Sequence, residues 1–484
     1  MKRGEIYEGT VERVDYPNKG IVRVRDEEEQ VIVKNVIPGQ KVRFVINKSK
    51  AGRKEGRLLE VTEKSPSEAD RTLCSAFPDC GGCIYQTMSY PDQLEMKAGQ
   101  IKRLLDSASD HPYEFEGIAK SPDRFGYRNK MEYSFGDDRP GGPLTLGLHR
   151  KASTYDVLTC TDCVIVHPDF NVIVDAVLRC FAENPLPYFH KIRHEGYLRH
   201  LLLRRSASYG DILVHIVTTG DKEYEKQFDE EAFRDMILEL EKSGRLSGHI
   251  SGIMHIINDS LADIVRSDET RILFGKDYFM EKVLGLDFKV SSFSFFQTNT
   301  RGAEVLYDTA RNYIGDTRDK NVFDLYSGTG TIAQILAPAC RKVTGVEIVE
   351  ETVESARYNA KLNGLTNCDF IAGDVLKVLD DLTDKPDFIV LDPPRDGIHP
   401  KALPKIIDYK VDNIVYISCK ATSLARDLKV LQEGGYRLVR AKCIDLFPDS
   451  QHVETVVLLR GEKVDSYVSI DLDVKELDRK KVKR

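Results

Sequence analysis

No stretch of the sequence approaches the roughly 18 consecutive apolar residues that a membrane-spanning helix requires, although hydrophobic residues fill 41% of its 484 positions. An integral membrane protein of the helical kind is thereby excluded. No apolar stretch follows the opening Met1-Lys2-Arg3, so a secretory leader is not expected and a cytoplasmic address is. Positive charge is not in surplus either. The formal net charge of -7 excludes a chain that is basic over its whole surface, yet a local cationic patch could still meet phosphates. No internal repeat is found, which argues against a solenoid or propeller. Neither a membrane nor an obligate protein partner is expected.

What is present points to several folding units, because a chain of this length outgrows one ordinary core. Residues 1–62 alternate apolar and polar positions between Gly, Pro and Asn turns, the pattern of a small antiparallel β-barrel. Lys41, Arg43, Lys48, Lys50, Arg53, Lys54 and Arg57 could give that barrel a basic face for RNA, or simply a solvated charged surface. A polar linker at 64–70 leads into residues 74–285, which mix a helical pattern at Tyr90–Leu105 with strands around 126–160 and a strand pair at 198–219. That unit reads as α+β with a metal-bound corner. From 286 to 462 short β-rich apolar runs alternate with helical segments, which predicts a mostly parallel, doubly wound α/β sheet. Residues 463–484 read as a basic C-terminal tail.

In the last of these units a glycine-rich turn, Ser327-Gly-Thr-Gly330, separates a strand from a helix, where small residues let backbone approach a ligand. The third glycine of a dinucleotide fingerprint is missing. Glu347 ends the next strand, where its carboxylate can accept from both ribose hydroxyls of a nucleoside. Asp374 ends the third strand and can face an adenine. Together they predict a nucleoside-binding crevice, whereas each acid alone would more often be a loop residue or a cap.

The fourth strand ends in Asp392-Pro-Pro-Arg395, whose prolines stiffen the backbone behind the Asp392 carboxylate. Enzymes that methylate exocyclic amines place an aromatic after the prolines, and Arg395 stands there instead. The fifth strand ends in Ser418-Cys419-Lys420, followed at Thr422 by what reads as a capped helix start. A helix N-terminus and Lys420 would both favour the thiolate of Cys419. Glu454, in His452-Val-Glu454, opens the last strand on the same edge and is the candidate base.

Ten cysteines in a reducing compartment suit metal ligands, catalytic thiols or buried small hydrophobes better than disulfides. Cys74, Cys80 and Cys83, with Gly81-Gly82 allowing a tight turn, join a distant Cys163 as four candidate thiolate ligands. Spacing alone leaves zinc and iron–sulfur open, and leaves Cys160 as a rival to Cys163. The C-x3-C-x2-C spacing of radical enzymes is absent.

Five motifs carry a resemblance across nearly the whole chain: Phe295-Phe-Gln-Thr-Asn299, Asp324-Leu-Tyr-Ser-Gly-Thr-Gly330, Asp392-Pro-Pro-Arg395, Ser418-Cys-Lys420 and His452-Val-Glu-Thr-Val456. In these the sequence resembles the RNA uracil-5-methyltransferases, particularly the ribosomal members with a TRAM domain and an iron–sulfur cluster. The resemblance implies a Rossmann-like class I S-adenosylmethionine methyltransferase domain behind a TRAM-like barrel and a central iron–sulfur domain. It implies that Gln297, Tyr326, Glu347 and Asp392 contact S-adenosyl-L-methionine, with Thr331 and Asp374 lining the same pocket. Cys419 would be the nucleophile and Glu454 the base. Cys74, Cys80, Cys83 and Cys163 would hold a 4Fe-4S cluster, and the partner would be structured RNA, 23S rRNA first and transfer RNA as the alternative. These residue types suit the reaction, because carbon 5 of uracil attacks a sulfonium methyl only after a thiolate has added at carbon 6.

Two segments interleave cations with aromatic or apolar positions and are candidate RNA contacts through Arg128, Lys130, Arg199 and Arg204. A half-buried strand with one charged face explains the second segment equally well. A cluster-bearing redox enzyme and an RNA-binding module without catalysis are the competing functional classes. The first leaves Cys419 and Glu454 unexplained, and the second predicts their loss. DNA cytosine-5 methylation shares the thiolate logic but puts its cysteine after a proline on an earlier strand.

Overall fold

The computed structural model describes residues 1–24, 30–50, 53–70, 72–262, 264–382 and 385–462. The basic tail expected at 463–484 lies outside the described residues.

The alternating N-terminal pattern closes into a five-stranded barrel of Ile6–Asp15, Lys19–Val24, Gln30–Val33, Lys41–Lys50 and Arg53–Glu63. Alternate side chains point inward, so Val11, Val22, Val31, Val42, Phe44 and Ile46 form a core of their own. The expected basic face needs correction. Lys41 pairs with Glu8 and Glu63, Arg43 with Glu60 and Lys48 with Glu55, so acidic neighbours cancel much of its charge. The side chains of Lys50 and Arg53 lie outside the described residues.

The central unit is a seven-stranded sheet in the order Glu269–Gly275, His249–Ile257, Asp211–Thr218, Leu198–Arg205, Lys130–Gly136, Thr145–His149 and Val157–Thr159. Helices Pro168–Glu183 and Glu230–Lys242 cover it through Phe170, Ile173, Phe233 and Ile237. Because Leu198–Arg205 runs through the middle, it is buried along nearly its whole length. Arg199 and Arg204 are therefore not RNA contacts. Arg199 donates to the carbonyls of Asn258, Ser260 and Ala262, and Arg204 to those of Ser291, Ser292 and Ser294. Burial pulls the Arg204 guanidinium down to about 10. Arg128 likewise donates to the Lys130 carbonyl, and Lys130 pairs with Glu132 at 2.9 Å.

The C-terminal sheet has eight strands, in the order Cys368–Ala372, Cys340–Glu347, Thr317–Leu325, Phe388–Leu391, Asn413–Ser418, Glu454–Gly461, Tyr436–Ile444 and Glu114–Ala119. The first five are parallel, and Glu454–Gly461 runs antiparallel beside them. Helices cover both faces, one layer through Leu306, Ala333 and Val353 and the other through Leu379, Leu424 and Leu428. This is the doubly wound arrangement that the alternating runs predict.

The expected boundaries at 74–285 and 286–462 do not match the packing. Helix Tyr90–Asp106 buries Ile101 and Leu105 in the C-terminal core, and strand Glu114–Ala119 is that sheet's edge. The hairpin of strands Tyr278–Val283 and Leu286–Ser291 straddles the second boundary and buries Phe279 and Phe288 in one core with Met254 and the C-terminal layer.

The connection from Ile444 to Glu454 is held by the preceding elements. Lys97 and Asp445, both fully buried, pair at 2.6 Å, and Lys97 also donates to the Phe447 carbonyl at 3.2 Å. Gln93 and Arg124 donate to Asp449 Oδ1 at 2.7 and 2.9 Å, and Tyr127 donates to the Pro448 carbonyl at 3.0 Å. The amides of Ile84 and Tyr85 donate to the Asp449 carbonyl at 2.8 and 3.0 Å. Asp449 adopts φ 64°, a left-handed conformation that this set of bonds stabilises.

Candidate active site

Parallel pairing brings the strand ends to one edge. Leu325 pairs with Val346 and with Leu391, Glu347 with Ala372, and Ser418 with Thr455. The next residues along these strands are Tyr326, Asp392 and Cys419, and the antiparallel partner of the last of them begins at Glu454. The register thus sets Cys419 opposite Glu454, with Asp392 two strands from the latter.

The turn after Leu325 uses φ 67° at Tyr326, 53° at Gly328 and 71° at Gly330. A side chain at Gly330 would lie 2.5 Å from the Phe370 ring, so only glycine fits there. Gly328 donates its amide to Glu347 Oε2 and Val349 donates to Oε1, each at 3.0 Å, which fixes the direction of that carboxylate. Asp374 caps helix Val375–Asp381 by accepting from the Leu376 amide at 3.0 Å. Beside it opens a cleft of about 430 Å³ lined by Tyr326, Asp374, Leu376, Pro394, Ile398 and Arg426. Thr331 begins the following helix and Gln297 precedes helix Thr300–Ile314, its carbonyl accepting from Asn129 at 3.4 Å.

Burial dominates the electrostatics of the edge. It pushes the carboxyls of Asp324 and Asp392 up to about 8 and about 7. Burial, reinforced by Asp392, raises Glu454 to about 8 against the opposing charge of Arg395. The expectation of a favoured Cys419 thiolate is corrected on the same ground. Burial, then Glu454 and Asp392, push that thiol up to about 11, and Arg395 is the cation that opposes them. Lys420 is exposed and lies 3.7 Å from Asp396. The helix after it, Ala421–Glu433, has no side-chain cap from its own N-cap residue, contrary to the capped start expected at Thr422.

A family model described as tRNA (uracil-5-)-methyltransferase matches residues 224–462. An uncharacterized RNA methyltransferase of Clostridium tetani is 45% identical over 95% of this chain and 98% of its own length. The chain belongs to the RNA uracil-5-methyltransferase family. A second uncharacterized RNA methyltransferase, from Clostridium acetobutylicum, is 42% identical over 95% of this chain and 98% of its own. In fold, the chain is similar to the Pyrococcus abyssi tRNA (uracil-54, C5)-methyltransferase solved with S-adenosyl-L-homocysteine, with TM-score 0.70, 24% identity, 93% of this chain covered and 100% of that one. The C-terminal sheet is accordingly a class I methyltransferase domain, and S-adenosyl-L-methionine is the methyl donor of this family.

Elsewhere in the methyltransferase, Cys74, Cys80, Cys83, Cys160 and Cys163 line one cavity with Phe77. Among the described residues, no three or more His, Cys, Asp or Glu side chains form a ready-made metal-ion site. The thiols nonetheless sense one another. Burial, Asp449, Cys163, Cys80 and Cys74 together push the Cys83 thiol well up, so several thiolates here would require a compensating cation. Cys160, the rival ligand, lies beside Cys80 and donates to the Leu158 carbonyl at 3.4 Å.

Sequence reasoning gave no role of their own to four side chains at the site. Tyr307 is buried, with Gln297, Asp392, Glu454 and Asp324 around it. His452 is drawn down to about 4 by burial and nearby Arg395, which keeps it neutral, and its ring meets Phe447 edge-on at 6.1 Å. Phe293 and Phe295, 42% and 68% exposed, stand shortly before Gln297, and the Phe-Ser-Phe-Phe run at 293–296 was the available signal.

Between about pH 4.5 and 8 the folded chain keeps a proton on Glu454 that the unfolded chain releases, so stability falls as pH rises through that window. Glu454→Gln removes this dependence. In urea unfolding at several pH values across the window, wild type is expected to lose up to about 1.4 kcal/mol per pH unit relative to the variant. A gap that stays constant with pH would contradict a protonated Glu454.

Proposed function

We propose that the protein methylates carbon 5 of a uridine in 23S rRNA through a covalent adduct between Cys419 and carbon 6 of the uracil. The observation that carries the reading is the register that sets the Cys419 thiol opposite the Glu454 carboxyl at the strand edge beside the nucleoside-sized cleft. Glu347, with both oxygens oriented by backbone amides, suits a ribose. Gln297, Tyr326, Asp374 and Asp392 complete the proposed cofactor set. Bound there, S-adenosyl-L-methionine would supply an electrophilic methyl group.

The chain's own residues do the rest. Cys419 releases its thiol proton to solvent and adds as thiolate to carbon 6, and the ring's electrons move to make carbon 5 an enolate carbon able to take a methyl. Glu454, once its own proton has left to solvent, then removes the proton from carbon 5 as carboxylate. The carbon 6–sulfur bond breaks, carbon 5 and carbon 6 regain their double bond, and the thiolate returns. A uracil inside a duplex hides both carbons, so the base must leave its stack. The exposed rings of Phe293 and Phe295 beside Gln297 suit contact with unstacked bases. Cys419→Ala is expected to lower methyl transfer by about a thousandfold or more, while Glu454→Gln accumulates a protein–RNA adduct seen as a denaturation-resistant band. Undiminished transfer by Cys419→Ala would refute the nucleophile.

The same reading assigns a 4Fe-4S cluster to Cys74, Cys80, Cys83 and Cys163, supported by the shared cavity and by the charge that four thiolates would leave unbalanced. It would hold the irregular loops in place. Anaerobic purification is expected to yield about four irons and four sulfides per chain; one zinc and no iron would overturn the assignment.

The choice of 23S rRNA rests on the resemblance of the barrel and cysteine motifs to the ribosomal members. Transfer RNA is the second reading, favoured by the description of the matching family model. Mapping 5-methyluridine in cells lacking the protein is expected to show a loss in 23S rRNA with transfer RNA unchanged, and the reverse result would move the substrate to transfer RNA.

A further inference from the structure

Helix Thr300–Ile314 opens directly behind the Phe295-Phe-Gln-Thr-Asn299 motif, and a buried carboxylate holds its first residue. Glu281, on strand Tyr278–Val283, is fully buried, where a carboxylate persists only if its oxygens are hydrogen-bonded. Five donors reach it. Its Oε1 accepts from the amides of Ser208 and Lys282, each at 3.0 Å, and from the Ser206 hydroxyl at 3.2 Å. Its Oε2 accepts from the Ala207 amide at 2.7 Å and from the Thr300 hydroxyl at 2.9 Å. One side chain thus joins the hairpin, the turn after strand Leu198–Arg205 and the start of the helix.

Thr300 passes the constraint on. With its proton directed at Glu281, its hydroxyl oxygen accepts from the Asn129 side-chain amide at 2.8 Å, and the same amide nitrogen donates to the Gln297 carbonyl at 3.4 Å. The Asn129 main-chain amide donates to the Thr298 carbonyl at 2.8 Å, and the Asn129 carbonyl accepts from the Arg205 amide at 2.8 Å. Two successive carbonyls, those of Gln297 and Thr298, are therefore held by one residue of the central sheet. Asn299 fastens the other side. It donates to Ser121 Oγ at 3.0 Å and to the Leu446 carbonyl at 2.9 Å, and accepts from the Gly302 amide at 2.9 Å.

We propose that Glu281 is a positioning residue for cofactor binding: through Thr300 and Asn129 it fixes the Gln297–Thr298 backbone, and so the direction in which Gln297 meets S-adenosyl-L-methionine. A hydroxyl suits the relay because it donates and accepts at once, which a valine of similar volume cannot do. Asn129 and the turn at 206–208 belong to the central sheet, so the part of the cofactor site that Gln297 forms is set from outside the doubly wound sheet.

The inference rests on Gln297 contacting the cofactor, and its test reads the two separately. Binding of S-adenosyl-L-homocysteine to the full chain is measured by calorimetry without RNA, beside the KM values for S-adenosyl-L-methionine and for RNA from cells lacking the protein. Gln297→Ala is expected to weaken S-adenosyl-L-homocysteine binding about tenfold. Thr300→Val, which breaks the relay, is expected to weaken it about fivefold and to raise KM for S-adenosyl-L-methionine in proportion, with KM for RNA unchanged. Thr300→Ser keeps the hydroxyl and is expected to bind as wild type does. Glu281→Gln turns N–H groups toward N–H groups and is expected to lose stability in urea as well as binding, so the decision falls to Thr300. Asn129→Ala, at a half-buried position, is expected to match Thr300→Val and decides the matter if that variant does not fold. Wild-type binding by Thr300→Val and Asn129→Ala, beside a weakened Gln297→Ala, would overturn the relay and leave the cofactor assignment standing. Equal losses in Thr300→Val and Thr300→Ser would also overturn it, by reducing the position to packing. Wild-type binding by Gln297→Ala would remove the cofactor assignment, and the proposal with it.

Discussion

The buried ion pair between Lys97 and Asp445 is the constraint on which the arrangement depends. Both side chains are fully buried, so neither charge has water to fall back on. Removing one partner from such a pair costs about 3–5 kcal/mol, because the other charge stays behind uncompensated. The pair pins helix Tyr90–Asp106 to the segment that leads into Glu454. Four residues on, Asp449 collects bonds from Gln93, Arg124, Ile84 and Tyr85. Ile84 directly follows Cys83, so the cysteine cavity and the strand carrying Glu454 share one anchor. Order in the cysteine loop and order in the strand carrying Glu454 are therefore mechanically linked.

The gathering of the candidate residues at one edge was legible in the sequence because parallel strands deliver their last residues to a common rim. Apolar runs marked the strands, and the residues just beyond them, Tyr326, Glu347, Asp374, Asp392 and Cys419, had to gather wherever those strands ended. Glu454 followed from the same logic once its strand was placed antiparallel. The acidity of Cys419 was not legible. Local reasoning weighed Lys420 and the helix, whereas the charges that reach the thiol, Glu454, Asp392 and Arg395, come from other strands.

Other features were hidden for related reasons. An arginine in an alternating strand reads as a solvent-facing cation unless both faces of the strand are covered, and only the sheet order reveals that Arg199 and Arg204 serve backbone carbonyls. The domain boundary was misread because composition shifts mark linkers, and none marks where helix Tyr90–Asp106 and strand Glu114–Ala119 leave one unit to join another.

That crossing has a consequence for synthesis. Among the described residues strand Glu114–Ala119 pairs only with Tyr436–Ile444, and Asp110 bonds to Gln432, which stands 322 residues further on. During translation the early helix and strand leave the ribosome with their apolar faces uncovered and stay so until almost the whole polypeptide has emerged. The barrel has a core of its own from residues early in the chain, whereas this segment is covered by residues that are synthesised late.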